Sequence, residues 1–316
     1  MVSKEERVAE ALKVAKLYYR EGLSQNDIAE SMSISRPTVS RLLSFALDSG
    51  LVRIEIGDPA DDMNQLARDL ERRYDLKRVI AVPTDVVAPA NRLDAVGQEA
   101  ARYIEGIVRD DDVIGIGWGR TVYAIGEHLA PKDVRGVIVV QVKGSASNTE
   151  SNNYAFESAN AFANAFRTVP QYLPLPVIFE NAQTKELVER ETYIRRIADM
   201  GRRADIVVFT VGTVRDTAML FNLGYLTAQE QERLKRIAVG DVVSRFIDAE
   251  GRIADEDIDR RTIGIQLDDL KKVEHSVLTV ASGAKVCAAH AAIVAGYANT
   301  LIADADSARQ LLDFEG

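Results

Sequence analysis

Residues 20–51 read REGLSQNDIAESMSISRPTVSRLLSFALDSGL, and this stretch predicts a helix-turn-helix. Leu23, Ile28, Ala29, Met32, Ile34, Val39, Leu42 and Leu43 are apolar positions at helical spacing. With Leu12, Ala15 and Leu17 from the preceding segment, they are expected to close a small three-helix core. Ser24 stands where an N-cap would start a short helix, with Asp27 at the capping-box position. Ser35 does the same for the next helix, and Pro37 falls in its first turn, where a missing N–H costs little. That second helix offers Arg36, Thr38, Ser40 and Arg41 at its N-terminal end, donors suited to base edges and phosphates. Together with Ser24, Gln25 and Ser35, these are the expected DNA contacts. A helical bundle that only binds protein is the competing reading. Two caps, a turn and a donor-rich helix that agree with one another favour DNA.

Net charge argues the other way at first sight, because the chain carries −9. Met1 to Ile56, however, holds eight Lys/Arg and eight Asp/Glu, so the excess acid lies in the remainder, with 31 bases against 40 acids. From Ser33 to Ala46 the charged residues are Arg36 and Arg41 alone. Phosphate attraction is local, on the scale of a Debye length of about 8 Å at physiological salt. An acidic body therefore weakens non-specific association without vetoing DNA binding.

The 316 residues suffice for two domains with a sizeable core, and 47% hydrophobic with 28% charged content fits a soluble globular protein. No apolar run is long enough to span a bilayer, and the N-terminus lacks a signal-peptide layout. A single cysteine, Cys287, excludes an internal disulfide framework and fits a reducing cytoplasm. Three scattered histidines, His128, His275 and His290, suggest no zinc site, and no metal is expected.

After Leu51 the alternating run VRIEI suggests a short strand, and Gly57-Asp58-Pro59 is turn chemistry. The expected division is a helix-turn-helix domain over 1–57 and an effector and oligomerisation domain over 58–316. Met63 to Tyr74 reads as an amphipathic helix. From Lys77 onward, RVIAV, DVIGIG, GVIVVQV, DIVVFTVG, HSVLTVAS and NTLIAD are nearly continuous in apolar residues, as parallel strands buried on both faces are. Helix candidates alternate with them near Leu93–Val108, Val122–Leu129, Ala155–Arg167, Val188–Met200, Ala228–Ile237 and Ala284–Tyr297. The alternation predicts a doubly wound, mostly parallel α/β domain, whose ligands bind outside the carboxyl ends of the strands.

Several of these runs end in polar, glycine-containing turns: Gly115 to Thr121, Lys143-Gly144-Ser145, Gly212-Thr213, Gly240-Asp241 and Ser282 to Lys285. Glycine lets backbone N–H groups approach an anion, and a helix N-terminus beyond it adds a favourable dipole. Arg120, Thr121, Ser282 and Lys285 add charge and hydroxyls. The set suits a small phosphorylated ligand better than a dinucleotide, because Gly115-x-Gly117-x-Gly119 lacks the last interval of GxGxxG and Trp118 would obstruct a pyrophosphate path. The expected effector contacts are Gly117, Gly119, Arg120, Thr121, Lys143, Gly144, Gly212, Thr213, Asp241, Ser282, Gly283 and Lys285.

Four blocks carry a family resemblance: QNDIAESMSISRPTVSRLL, the GIGWGRT turn, VGDVVSRFIDAEG at Val239–Gly251, and VLTVASGAKVCAAHAAIVAGYANTLIAD. Through them nearly the whole chain resembles the SorC-type transcriptional regulators, and within these the deoxyribonucleoside regulators. The resemblance implies a larger domain similar to sugar-phosphate isomerases and deaminases but acting as a sensor. It also implies a sugar-phosphate effector such as deoxyribose 5-phosphate, no further cofactor, and a dimer or tetramer on palindromic operator DNA. The family's phosphate-holding turns correspond to Gly119-Arg120-Thr121 and Ser282-Gly283-Ala284-Lys285.

Lys143 follows the run VIVVQV and is expected at a strand end beside the other turns. A partly desolvated lysine favours its neutral amine, the form that attacks an aldehyde, and a 2-deoxy sugar phosphate opens readily to one. A reversible Schiff base, a hydrogen bond to a sugar hydroxyl, and simple pairing with Asp241 all fit the sequence. Asn148, Glu150, Asn152 and Asn153 form a polar segment that reads equally as a lid or as a solvated loop. His275 reads as a strand-entry residue, His290 and Cys287 as packing residues, and Tyr18 and Tyr19 as braces of the small domain. The functional expectation is a ligand-responsive, cytoplasmic, non-enzymatic transcription factor, in the first instance a repressor of nucleoside or deoxyribose catabolism. A sugar-phosphate isomerase or deaminase with an appended DNA-binding domain is the alternative.

Overall fold

The computed structural model describes residues 4–52, 59–83, 91–149 and 152–315, and the chain divides into two compact units, Met1–Asp58 and Pro59–Gly316.

The first unit holds α1 (Lys4–Tyr19), α2 (Gln25–Met32) and α3 (Arg36–Asp48). Its core joins Ala11, Val14 and Ala15 of α1 to Ile28, Val39, Leu42, Leu43 and Ala46. The expected Leu12 is instead 37% exposed. Positions 11, 14 and 15 follow the i, i+3, i+4 stripe, and residue 12 points off it. Ser33 turns the chain between α2 and α3 in the left-handed region, at φ 53°, and the Ser33 and Ile34 N–H groups return to Glu30 and Ala29 carbonyls. The suggested strand over 52–56 and the turn at Gly57-Asp58 fall mostly outside the described residues.

In the second unit, α4 (Pro59–Tyr74), β1 (Arg78–Val82), α5 (Arg92–Ile107), β2 (Val113–Ile116), α6 (Arg120–His128) and β3 (Ile138–Gln141) come first. Next are α7 (Ala155–Ala165), α8 (Ala182–Glu189), α9 (Thr192–Arg202), β4 (Ile206–Phe209) and α10 (Ala228–Ile237). A hairpin of β5 (Gly240–Val242) and β6 (Arg245–Ile247) leads to α11 (Glu256–Arg261) and α12 (Leu267–Leu270). The chain closes with β7 (His275–Val280), α13 (Val286–Val294), β8 (Thr300–Asp304) and α14 (Ala305–Leu312).

Among the described residues six strands form one sheet in the order β1-β8-β7-β4-β2-β3, every pairing parallel. Successive strand residues point to opposite faces, so apolar runs serve two cores at once. In β4, Val207 and Phe209 enter the core shared with Leu70, Leu278 and Leu301. Ile206 and Val208 enter the core shared with Ile104, Ile125 and Phe162. Helices therefore cover both faces, the doubly wound arrangement. Strand order reverses around β2, which lies between the edge strand β3 and β4, and ligands in such sheets bind at that switch point.

Some local expectations need correction. Val188–Met200 is two helices, because Glu191 adopts an extended conformation (ψ 134°) that ends the run and starts α9. Gly240-Asp241 does not close a parallel strand; it opens β5 of the antiparallel hairpin. Val243 and Ser244 turn that hairpin with φ of 44° and 73°, so it lacks the Asn-Gly or Asp-Gly signal that betrays such turns. Cys287 is exposed and not packed, whereas His275 does open β7.

Candidate functional site

The carboxyl ends of β2, β3, β4 and β7, together with β5, surround a cavity of about 350 Å³, a size suited to a small ligand. Nine of the twelve expected effector residues line it: Gly119, Arg120, Thr121, Lys143, Gly212, Thr213, Asp241, Ser282 and Lys285. Gly117, Gly144 and Gly283 do not. The Gly117 N–H is taken by the Val208 carbonyl at 2.9 Å, and the Gly144 carbonyl accepts the Trp118 indole N–H at 2.7 Å. At Gly283 an added Cβ would meet the Gln310 amide, so this residue faces α14.

Each wall has a local cause. Gly119 precedes α6 with φ 124° and ψ 173°, a conformation that side chains strongly disfavour. It swings the helix start toward the cavity, with no side chain capping its first N–H groups among the described residues. Ser282 caps the turn Gly283–Lys285 by accepting the Ala284 N–H. Lys285 then reaches back across the site, donating to Thr210 Oγ1 at 2.8 Å and Thr121 Oγ1 at 3.5 Å. Its ammonium is thus oriented by hydroxyls from two other strand ends.

Asp241 sits beside β4. Its carbonyl accepts the Gly212 N–H at 2.9 Å, and its carboxylate Oδ2 accepts the Ser244 N–H at 3.0 Å. A Cβ on Gly212 would lie 1.8 Å from Asp241 Oδ1, and one on Gly240 would lie 2.4 Å from the Gly212 carbonyl. Two facing glycines are what let the acid approach the sheet.

Lys143 is only 7% exposed. Among the described residues its Nζ has no hydrogen-bond or ion-pair partner, and it lies 3.7 Å from the centroid of the Trp118 ring. Burial pulls the Lys143 amine down to about 8, against the opposing charge of Asp241. Lys285 is also lowered to about 8 by burial, with Asp241 opposing and Arg120 and Lys143 adding to the fall. Burial pushes Asp241 up, resisted by Lys143, the Ser244 N–H and Lys285. Two amines near neutrality beside a reluctant carboxylate can hold an anion, and one of them can act as a nucleophile.

Sequence reasoning missed Thr210, Arg215, Thr217, Met219, Leu220 and Leu93, which also line the cavity. Thr210 could have been found as the polar residue ending DIVVF; the irregular stretch around Arg215 carries no motif. Trp118, read as an obstacle, is itself a wall. Asn148, Asn152 and Asn153 of the polar segment after Lys143 do not line the cavity: Asn153 bonds Ser145 and Ala155, and Asn152 bonds Glu157. Glu150 lies outside the described residues.

In the small unit, Ser24 and Asp27 form the capping box, and Ser35 caps α3 by accepting the Thr38 N–H. Ser35 Oγ also bonds Thr38 Oγ1 at 2.8 Å, and Arg41 donates to Thr38 Oγ1 and the Pro37 carbonyl, each at 3.4 Å. Ser24, Ser35, Arg36, Ser40 and Arg41 are exposed and Gln25 and Thr38 partly so, while Val39, Leu42 and Leu43 face inward. Tyr18 and Tyr19 pack edge to face on a largely exposed surface. Among the described residues no helix is long and apolar enough to cross a membrane.

Residues 58–313 match the family described as "Putative sugar-binding domain", and residues 10–49 match "Sigma-70, region 4". The chain is 45% identical over 303 residues to the deoxyribonucleoside regulator of Bacillus subtilis (strain 168), covering 96% of this chain and 97% of that one. A domain of a possible sugar-binding transcriptional regulator from Arthrobacter aurescens TC1 superposes with a TM-score of 0.73 at 31% identity, covering 81% of this chain and 100% of that one. The full-length sorbitol operon regulator SorC from Klebsiella pneumoniae shares the fold, with a TM-score of 0.73 at 24% identity over 96% and 98% of the two chains. The chain belongs to the SorC family of sugar-binding transcriptional regulators. It is a DNA-binding regulator of sugar catabolism, in a family of regulators rather than enzymes.

Proposed function

We propose that this regulator responds to a phosphorylated aldehyde sugar, deoxyribose 5-phosphate in the first instance, and governs nucleoside or deoxyribose catabolism. The observation that carries the reading is the meeting of Lys143, Asp241 and Lys285 around one cavity at the switch point of the sheet. The phosphate goes to Lys285, Arg120, Thr121 and Ser282 at the α6 end of the cavity. Asp241 accepts a sugar hydroxyl through Oδ1, and the buried Lys143 amine adds reversibly to the open-chain aldehyde. The likeness to the deoxyribonucleoside regulator of Bacillus subtilis supports the choice of sugar.

Residues 1–57 form the DNA-reading domain, with Arg36, Ser40 and Arg41 of α3 entering the major groove. Residues 58–316 sense the effector and assemble the homo-oligomer, dimer or tetramer. Paired copies would place recognition helices one turn of DNA, about 34 Å, or a multiple apart on a palindromic operator. The effector shifts DNA binding by differing in affinity between two arrangements of that assembly.

A thermal-shift screen of phosphorylated pentoses and hexoses tests the effector. At 100 times its dissociation constant the cognate sugar stabilises the fold by about 2.7 kcal/mol. Borohydride trapping with deoxyribose 5-phosphate, followed by mass spectrometry, is expected to leave the adduct on Lys143. Stabilisation without an adduct would retain the sugar and remove the covalent step.

A further inference from the structure

Trp118 meets Lys143 and the residue after it. Its ring face lies 3.7 Å from Nζ, and its indole N–H donates at 2.7 Å to the carbonyl of Gly144, the next residue along. The ring is 4% exposed and packs into a cluster with Val177, Leu220 and Phe221. It is therefore fixed by the core while its face is turned to the amine. The charged groups facing Lys143 are Asp241 on β5 and Lys285 beyond β7, and Arg120 acts on Lys285 in turn.

Lys143 lines the cavity with the ring face against its nitrogen, and the negative face of an indole ring stabilises a cation so placed. We propose that Trp118 is the positioning residue of this site, holding the Lys143 nitrogen as a cation before and after the effector binds. The inference rests on the reading of Lys143 as the effector-contacting amine. In the empty site the cation is the ammonium. When an aldehyde enters, the neutral amine adds to its carbon and one C–O bond becomes C–N. The carbinolamine then takes a proton and loses water, leaving a protonated imine on the same ring face. No oxidant or reductant takes part. Trp118 thus keeps the nitrogen aimed and favours the charged product, while burial keeps the amine reactive enough to begin.

The chain has one tryptophan, so growth with mono-, di- and tetrafluorotryptophan alters residue 118 alone, nearly without change of shape. Each fluorine drains the ring face. Competitive labelling with acetic anhydride, read as the Lys143 peptide by mass spectrometry, gives the ionisation midpoint of this amine in the full-length protein without effector. The midpoint is expected to fall stepwise along the series, by about one pH unit in total. A purely steric role would leave it flat, and a flat or rising series overturns the proposal. Trp118→Phe, with its weaker face, is expected to move the midpoint the same way, and an unchanged value there overturns it equally. Absence of a borohydride adduct in the unlabelled protein counts against the covalent reading alone, whereas the fluorination series decides on Trp118.

Discussion

In the small unit, Ser24 Oγ accepts the Asp27 N–H and Ser35 Oγ accepts the Thr38 N–H, each three residues along. In the large unit, Lys285 bonds Thr210 and Thr121 across 75 and 164 residues. The same residue types thus do opposite work. In the first case a hydroxyl satisfies the backbone of its own helix, and the surface proposed to read DNA needs little else. In the second, hydroxyls and amines meet only after the sheet has formed, so the site is as good as the packing behind it. Damage should therefore stay graded and local in the small unit and become cooperative in the large one.

The sharpest way to break this contrast is Gly240→Ala. The new methyl would sit 2.4 Å from the Gly212 carbonyl and 2.6 Å from the Ala288 Cβ, with backbone on one side and a helix on the other. Overpacking of this kind costs about 3 kcal/mol. Denaturant unfolding is expected to show that loss, and effector binding should fall with it because Asp241 is displaced. A variant of wild-type stability with normal binding would mean that the hairpin tolerates movement and that the site is not set by packing.

Lys143→Met gives the next effect, and its sign follows from proton counting. The unfolded chain keeps this proton until near 10.5, whereas the folded chain releases it at about 8. Between these values the unfolded state binds more protons, so stability rises with pH and is lost again as pH falls through the folded value. Removing the amine should abolish its share of the rise, up to about 3 kcal/mol as an upper bound, and should stabilise the empty protein at neutral pH. Unfolding curves at pH 7, 8, 9 and 10 for both proteins check this. Parallel pH profiles would show that the amine is not desolvated.

The contrast also sets what could be read from sequence. The caps at Ser24 and Ser35 were legible because partner and signal lie within one turn of helix. The six strands were legible because residues such as Ile206 to Phe209 must be apolar on both faces. Turn chemistry at strand ends pointed to nine residues that line the cavity. Which turns faced the cavity was not legible: Gly117 and Gly144 look like Gly119 and Gly212 in sequence, yet their backbone groups are taken by Val208 and Trp118. Nor was the β5–β6 hairpin, whose turn is built from Val243 and Ser244 against their conformational preference. Leu12 failed for a simpler reason: it is apolar but stands one position off the stripe that holds Ala11, Val14 and Ala15.

Arg41→Ala probes the small unit itself. Arg41 is exposed, steadied among the described residues by bonds of 3.4 Å to Pro37 and Thr38, so its loss should leave the fold intact. Operator affinity is expected to fall about tenfold, within the range for one lost contact, while effector binding in the large unit stays unchanged. Mobility-shift titrations alongside effector titrations measure both. Equal operator affinity would remove Arg41 from the interface.

The smallest effect separates two roles that share one atom. Ser35 Oγ accepts the Thr38 N–H and bonds the Thr38 hydroxyl, which in turn receives Arg41. Ser35→Ala removes a cap worth about 1 kcal/mol and frees Thr38, so stability and operator affinity should both slip slightly. Ser35→Asp restores the cap, since aspartate serves equally well there and favours the helix dipole. It also places a negative charge where phosphates are expected. If α3 faces DNA, the aspartate variant should match wild type in thermal unfolding while its operator affinity falls below that of the alanine variant. If α3 faces a protein instead, the two properties should recover together. A local cap can thus report on the partner because the small unit's structure and its proposed function meet at the first turn of α3.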